Sequence, residues 1–373
     1  MGAQQKLINS TRDQAGLETR RAAENRPNVT VPDVTVVVSL RERFSVARRS
    51  LDSLYADVST PFDLIYVESS SPRSLKRYLS EQSRRRGFRL IEAPPYVTPN
   101  EARNLAIPQV ATEFIAFVDN DCLFAPGWLA ALLRCAKETG ADIVTPIICY
   151  NDPEFSIIHF AGGDAGFFLE NGKRIFRERH RSIDRLLAEA RPTLARGPSE
   201  LAEFHCMLVR KDVFDRFGLL DEELRSIGEH TDICLKVREG GGIVMFEPDS
   251  VMSYVSAPRI RLNELPYFLF RWSEELARDS ENHFLRKWNA AMDNGRTILE
   301  FVRDHRRHAL AGSRNAIQRL MGWRISTFLF EGLANACRRY GKWRRSRAAG
   351  TERRITQTSR REAVGAAIGR TTE

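Results

Sequence analysis

The stretch Phe114-Ile115-Ala116-Phe117-Val118-Asp119-Asn120-Asp121 constrains this chain more than any other: five apolar residues run straight into two carboxylates with one residue between them. A short, wholly apolar run of this kind reads as a strand buried on both faces, which calls for helices on either side of its sheet. The acids mark where the strand leaves the core. In open α/β sheets that end is where ligands sit, and carboxylates at alternate positions there suit a divalent cation holding a phosphate. The same eight residues also suit a plain solvated turn after a core strand.

The segments on either side repeat the pattern. Val34-Thr35-Val36-Val37-Val38-Ser39-Leu40 is a β-branched run, followed at helical spacing by Val46, Leu51 and Leu54. Phe62 to Val67 is a second strand ending on Glu68-Ser69-Ser70-Ser71-Pro72, and Phe88 to Ile91 is a third after a charged helix. Thr98-Pro99 opens a short helix, with Thr98 able to cap, Pro99 at the first position and Arg103 expected to face outward. Gly127 to Thr139 is helical, and Ala141 to Ile147 is another strand. Alternating strands and helices with short connections predict an α/β fold with a mostly parallel, doubly wound sheet, and Ser39, Glu68 and Asp119 on one edge of it.

From about residue 150 the alternation breaks into an antiparallel insertion with turns at Gly162-Gly163 and Asn171-Gly172. Leu201 to Val209 is expected as a strand, and Ser226 to Val237 as a loop becoming a helix, with its acids in the first turn. Beyond 260 the chain turns helical, with helices expected over Leu262 to Leu276, His283 to Ala291 and Ile317 to Ala336. The last of these carries an apolar face that needs a partner. Four regions follow: a polar lead-in over 1–32, an α/β domain over 33–260, a helical region over 261–337 and a basic tail over 338–373.

The net charge of +9 would invite a nucleic-acid reading if it were spread over the body. It is not: residues 338–373 hold eleven Lys and Arg against three Glu. A tail without a reading element is expected to bind no nucleic acid. The six cysteines are scattered and lack metal-ligand spacing, as suits reduced core residues in a cytoplasmic protein. No apolar run reaches the length of a membrane span and no signal peptide opens the chain, although the basic tail and the face near Ile317 suit peripheral contact with an anionic membrane surface.

Taken in order, these landmarks resemble the family 2 glycosyltransferases of the GT-A fold, over roughly residues 33 to 290. The resemblance rests on the first strand, the turn Glu68 to Ser71, Ala102-Arg103-Asn104 ahead of Asp119-Asn120-Asp121, and a distal block. That block runs Cys206 to Lys211, Phe217-Gly218-Leu219-Leu220-Asp221-Glu222 and Gly228-Glu229-His230-Thr231-Asp232, with Phe284 to Trp288 beyond it. It implies a nucleotide-diphospho-sugar donor and a glycan, lipid-linked or small-molecule acceptor, as in polysaccharide or glycoconjugate biosynthesis. Asp121 would be the ligand of Mg²⁺ or Mn²⁺, with Asp119 sharing the metal or meeting the ribose. Such a cation stabilises the departing diphosphate as a Lewis acid. Ser39, Arg41 and Glu68 match donor-contacting positions, and Arg103 would pair with the diphosphate or with a neighbouring acid.

Two departures from the family pattern matter. Glu68 stands where an aspartate is more usual, and His230 stands where relatives carry the acid that takes the acceptor's proton. A neutral imidazole accepts a proton at physiological pH, so Glu229 and His230 are both candidate bases, while Asp232 would cap the helix or bind acceptor hydroxyls. Tyr254 occupies the place of a histidine metal ligand, leaving water, His159 or His205 to complete the coordination. The resemblance implies an inverting transferase; a non-catalytic carbohydrate or nucleotide binder with a degenerate loop is the competing reading.

Overall fold

A computed structural model describes residues 32–57, 59–150, 153–255, 260–292 and 298–321, with scattered positions as far as 343. The lead-in before residue 32 and almost all of the basic tail lie outside the described residues. Of the face expected over Ile317 to Ala336, Ile317 and Met321 fall in the described end of a helix, Ile325, Phe328 and Ala336 are described and exposed, and Leu329 lies outside the described residues.

The chain opens as β1 (Val34–Ser39), α1 (Ala47–Leu54), β2 (Asp63–Glu68), α2 (Arg73–Arg86), β3 (Arg89–Glu92), α3 (Pro99–Ala106) and β4 (Phe114–Asp119). These strands pair in parallel in the order β3-β2-β1-β4. Every residue of β1 and β4 is buried, as the continuous apolar runs require. Covering each Val, Ile or Phe contributes about 1.5–3 kcal/mol relative to exposure. In the β1–β4 register Ser39 lies opposite Asp119, so both strands deliver a polar side chain to the same edge.

Next come β5 (Cys122–Phe124), α4 (Trp128–Thr139) and β6 (Ile143–Tyr150), then β7 (Ile157–Phe160) and the hairpin β8 (Gly163–Glu170) and β9 (Lys173–His180). The expected antiparallel insertion is this hairpin, which forms a small separate sheet. After α5 (Leu187–Ala190) and β10 (Gly197–Pro198), β11 (Cys206–Arg210) enters the main sheet antiparallel, between β4 and β6. Then follow α6 (Asp212–Phe217), α7 (Glu229–Glu239) and β12 (Val244–Tyr254), which runs parallel to β6. The sheet is therefore mixed, parallel in its first half and reversed at β11, because the chain re-enters from the insertion side. Residues 201–205, expected to be strand, precede β11 as a loop.

The terminal region holds α8 (Leu265–Arg271), α9 (Glu274–Lys287), β13 (Ala291–Met292) and α10 (Ile298–Met321). The single helix expected over Leu262 to Leu276 is broken at Ser273, whose hydroxyl accepts from the Leu276 N–H at 3.3 Å and starts α9 afresh. This region shares the main core: Tyr267 and Phe270 belong to it, and the Tyr267 hydroxyl donates to the Val97 carbonyl at 3.0 Å. The five described cysteines are buried free thiols. Among the described residues no helix is long and apolar enough to cross a membrane.

Candidate active site

The carboxyl ends of β1 and β4 converge on Asp119. Its Oδ1 accepts from Ser39 Oγ at 3.3 Å and Arg103 Nη2 at 3.4 Å. Its Oδ2 lies 3.4 Å from Arg41 Nη1 and 3.1 Å from His205 Nδ1. Burial alone would raise this carboxyl, but the His205 hydrogen bond and the charges of Arg41 and Arg103 hold it down at about 2. The loop after β1 also clamps the turn, since the Arg41 N–H donates to Asn120 Oδ1 at 2.8 Å and the Asn120 N–H to the Ser39 carbonyl at 3.0 Å.

Arg103 does not face outward. It is 2% exposed, paired with Asp119 and set over the Phe204 ring at 3.8 Å from the centroid. Helix α3 has only eight residues and most of them are buried, so periodicity could not tell its solvent side. Asn104 likewise turns inward, to the Leu220 carbonyl and Glu222.

Asp121 differs from Asp119 in one respect: among the described residues no cation pairs with it. It is equally buried, yet among the described residues its only side-chain hydrogen bond comes from Cys122 Sγ at a long 3.9 Å. Burial pushes its carboxyl up to about 7 against the pull of Arg41, with Asp119 and Glu42 adding to the rise. One ligand atom each from Asp121, Cys122 and His205 lie within 4.8 Å of one another. Burial keeps Cys122 a neutral thiol, so the effective donors are a carboxylate and an imidazole. An under-compensated carboxylate with such neighbours fits a divalent cation, whereas Asp119 is already neutralised by its arginines.

Glu68 is buried rather than a surface acid. Its Oε1 accepts from the Ser71 N–H at 3.0 Å and its Oε2 pairs with Lys76 at 3.2 Å, so it ties β2 to the start of α2. It lies outside the lining of the cavity of about 1150 Å³ that Arg41, Asp119 and His205 share with Glu229 and His230.

The opposite wall of that cavity is built by α7 and α8. Gly228 precedes α7 with φ +77, and the ring of Phe284 packs at 3.4 Å from where a Cβ would stand, so this turn belongs to glycine. It sets Glu229 and His230 at the head of the helix. Glu229 Oε1 accepts from Arg271 Nη2 at 3.0 Å, while Oε2 has no partner among the described residues. The Nε2 of His230 has none either. Asp232 lies outside the cavity lining: its carboxylate accepts from Trp288 Nε1 at 3.0 Å and Lys287 Nζ at 2.9 Å, so it anchors the end of α9.

Sequence reasoning missed Arg271, Trp272 and Glu42. Trp272 Nε1 donates to Glu42 Oε1 at 2.9 Å, joining the first loop to α8 across 230 residues. Burial would raise Glu42, but the charges of Arg41 and His305 bring it to about 2. An Arg-Trp pair in an otherwise aromatic helix was the available signal. Tyr254, at the place of the expected histidine ligand, is kept a neutral phenol by burial and stacks flat on His205, with ring centroids 4.3 Å apart and planes 1° from parallel.

A parallel half-sheet interrupted by one antiparallel strand, with an acid pair closing its central strand, is the architecture of the GT-A fold. Residues 35–217 match the family model described as Glycosyl transferase family 2. It is 25% identical over 231 residues to a pre-mycofactocin glycosyltransferase of Mycobacterium tuberculosis, covering 61% of this chain and 44% of that protein. It is 26% identical over 245 residues to the O-antigen biosynthesis protein RfbC of Myxococcus xanthus, covering 63% of this chain and 18% of that one. The chain thus spans less than half the length of these relatives. Among solved structures it resembles GalNAc-T7 with UDP, GalNAc and Mn²⁺, at 17% identity and a TM-score of 0.47, covering 81% of this chain and 58% of that one.

Proposed function

We propose that this protein transfers a sugar from a nucleotide-diphosphate donor to an acceptor hydroxyl with inversion, in polysaccharide or glycoconjugate biosynthesis. The observation that carries the reading is the pair Asp119 and Asp121, one neutralised by arginines and the other left under-compensated at the end of the central strand. Asp121 would hold Mg²⁺ or Mn²⁺, and a cation there supplies Lewis-acid stabilisation of the leaving diphosphate. Asp119 acts differently, fixing Arg41, Arg103 and His205 so that the site keeps its shape as the donor enters and leaves. Arg41, in the cavity lining, and Ser39, buried behind it against Asp119, are the donor-side groups of this reading.

His230 is the base we favour over Glu229. Glu229 is committed through one oxygen to Arg271, whose Nη1 also donates to Ser226 Oγ at 2.9 Å, so its role is to hold the wall. The Nε2 of His230 has no such commitment, and a neutral imidazole has the basicity the step needs. The acceptor is a glycan, a lipid-linked or a small molecule entering between α7, α8 and the β8–β9 hairpin. We assign catalysis to residues 33–260, with Arg271, Trp272 and Phe284 of the helical region 261–337 completing the wall that α7 begins, and a cytoplasmic location with peripheral membrane contact through the basic C-terminal region.

The deciding experiment measures transfer or hydrolysis of nucleotide sugars with Mn²⁺ in the wild type and in Asp121→Ala. Equal background turnover in both would leave a binding protein and not an enzyme.

A further inference from the structure

The insertion and the loop before β11 bring together a second group of metal-ligating side chains, joined to the first through His205. His159 projects from β7, while Glu203 and His205 come from residues 201–205, the loop that replaces the expected strand. His159 Nε2 lies 3.1 Å from Glu203 Oε2, and His180 Nε2, from the end of β9, lies 3.4 Å from Glu203 Oε1. Despite that proximity, Glu203 Oε2 makes no properly directed hydrogen bond; it is a buried acceptor left unsatisfied in a residue only 6% exposed. One ligand atom each from His159, Glu203 and His205 lie within 4.8 Å of one another, and all three residues line the cavity.

We propose that His159, Glu203 and His205 form a second metal site, a two-histidine, one-glutamate set for Zn²⁺ with its remaining position open to the cavity. Three such donors with an open position are the arrangement of zinc sites that bind an exchangeable oxygen ligand, and two imidazoles disfavour Mg²⁺, which prefers an all-oxygen shell. The supporting contacts are those a metal site needs. His180 holds the far oxygen of Glu203, and Tyr254 fixes the His205 ring by stacking on it. Two groups already hold His205: Asp119 Oδ2 lies 3.1 Å from its Nδ1, and Arg41 Nη1 lies 3.3 and 3.2 Å from its two ring nitrogens. Zn²⁺ would displace that guanidinium toward Asp119 and Glu42, its other partners. The site shares His205 with the group around Asp121, but neither aspartate of the β4 end is among its ligands, so Asp121→Ala separates it from the sugar-transfer reading.

The test titrates Zn²⁺ alone into chelator-treated full-length protein by calorimetry, for the wild type, Asp121→Ala, His159→Ala and Glu203→Gln. One equivalent is expected to bind the wild type and Asp121→Ala alike, with affinity at least about tenfold weaker in the other two variants. Co²⁺ bound to the wild type reports the same site without any substitution, through the intense visible absorption of a four-coordinate nitrogen and oxygen environment. Absence of Zn²⁺ binding to the wild type, unchanged affinity in folded His159→Ala and Glu203→Gln, a weak six-coordinate Co²⁺ spectrum, or loss confined to Asp121→Ala would each overturn the proposal.

Discussion

The two walls of the cavity are built on opposite principles. On the β4 side, Asp119 has every lone-pair direction spoken for by Ser39, Arg41, Arg103 and His205. On the α7 side, Glu229 Oε2 and His230 Nε2 have no partner among the described residues. A buried carboxylate surrounded by cations is a rigid fixture, whereas an uncommitted nitrogen in a residue lining a cavity is the kind of group proton transfer needs. The contrast shows that what a strand end carries in its sequence does not tell fixture from reagent: Asp119 and Asp121 are two residues apart, and only one is neutralised.

The sharpest way to break this comparison is Asp121→Ala, expected to lower Mn²⁺-supported transfer by about 100- to 1000-fold, read from initial rates at saturating donor. A smaller drop than that of Asp119→Ala would reverse the roles assigned here. His230→Gln is next, with a loss of about a hundredfold in kcat, while Glu229→Gln is expected to cost about tenfold or less. If Glu229→Gln loses more than His230→Gln, the base is the glutamate.

Removing a fixture shows in stability. Arg103→Met leaves Asp119 short of a buried partner and is expected to destabilise the fold by about 3–5 kcal/mol in urea unfolding, partly restored by the double change with Asp119→Asn. Glu42, buried against Arg41 and Trp272, offers a pH test of the same wall. Its folded carboxyl is depressed to about 2, so its stabilisation is complete above the unfolded value of about 4 and is lost as pH falls through about 2. The stability gap between wild type and Glu42→Gln should therefore be constant at neutral pH and close as the pH falls from about 4 to about 2. The smallest effect belongs to Lys76→Ala: its ion pair with Glu68 involves a half-exposed lysine, and about 1 kcal/mol or less is expected.

Much of this was legible in the chain itself. The apolar runs of β1, β2 and β4 can only be doubly covered strands, and the turn at Asn171-Gly172 can only close a hairpin, so the α/β frame and the insertion followed from local pattern. The glycine at 228 marked the head of α7 for the same reason. Arg103 was misread because a two-turn helix buried on most sides has no periodic signature, and the helix break at Ser273 was missed because an N-cap serine inside an aromatic run carries little contrast.

What the sequence determined alone was position along the chain: where strands end, where acids stand, which segment turns. Partnership was decided only in three dimensions. Arg103 reaches Asp119 across 16 residues, His205 reaches it across 86 through the antiparallel entry of β11, and Arg271 meets Glu229 across 42. Charge neutralisation falls off over a few ångströms in a buried site, so which acid is neutral, which is paired and which is left for a metal depends on contacts that no local spacing encodes.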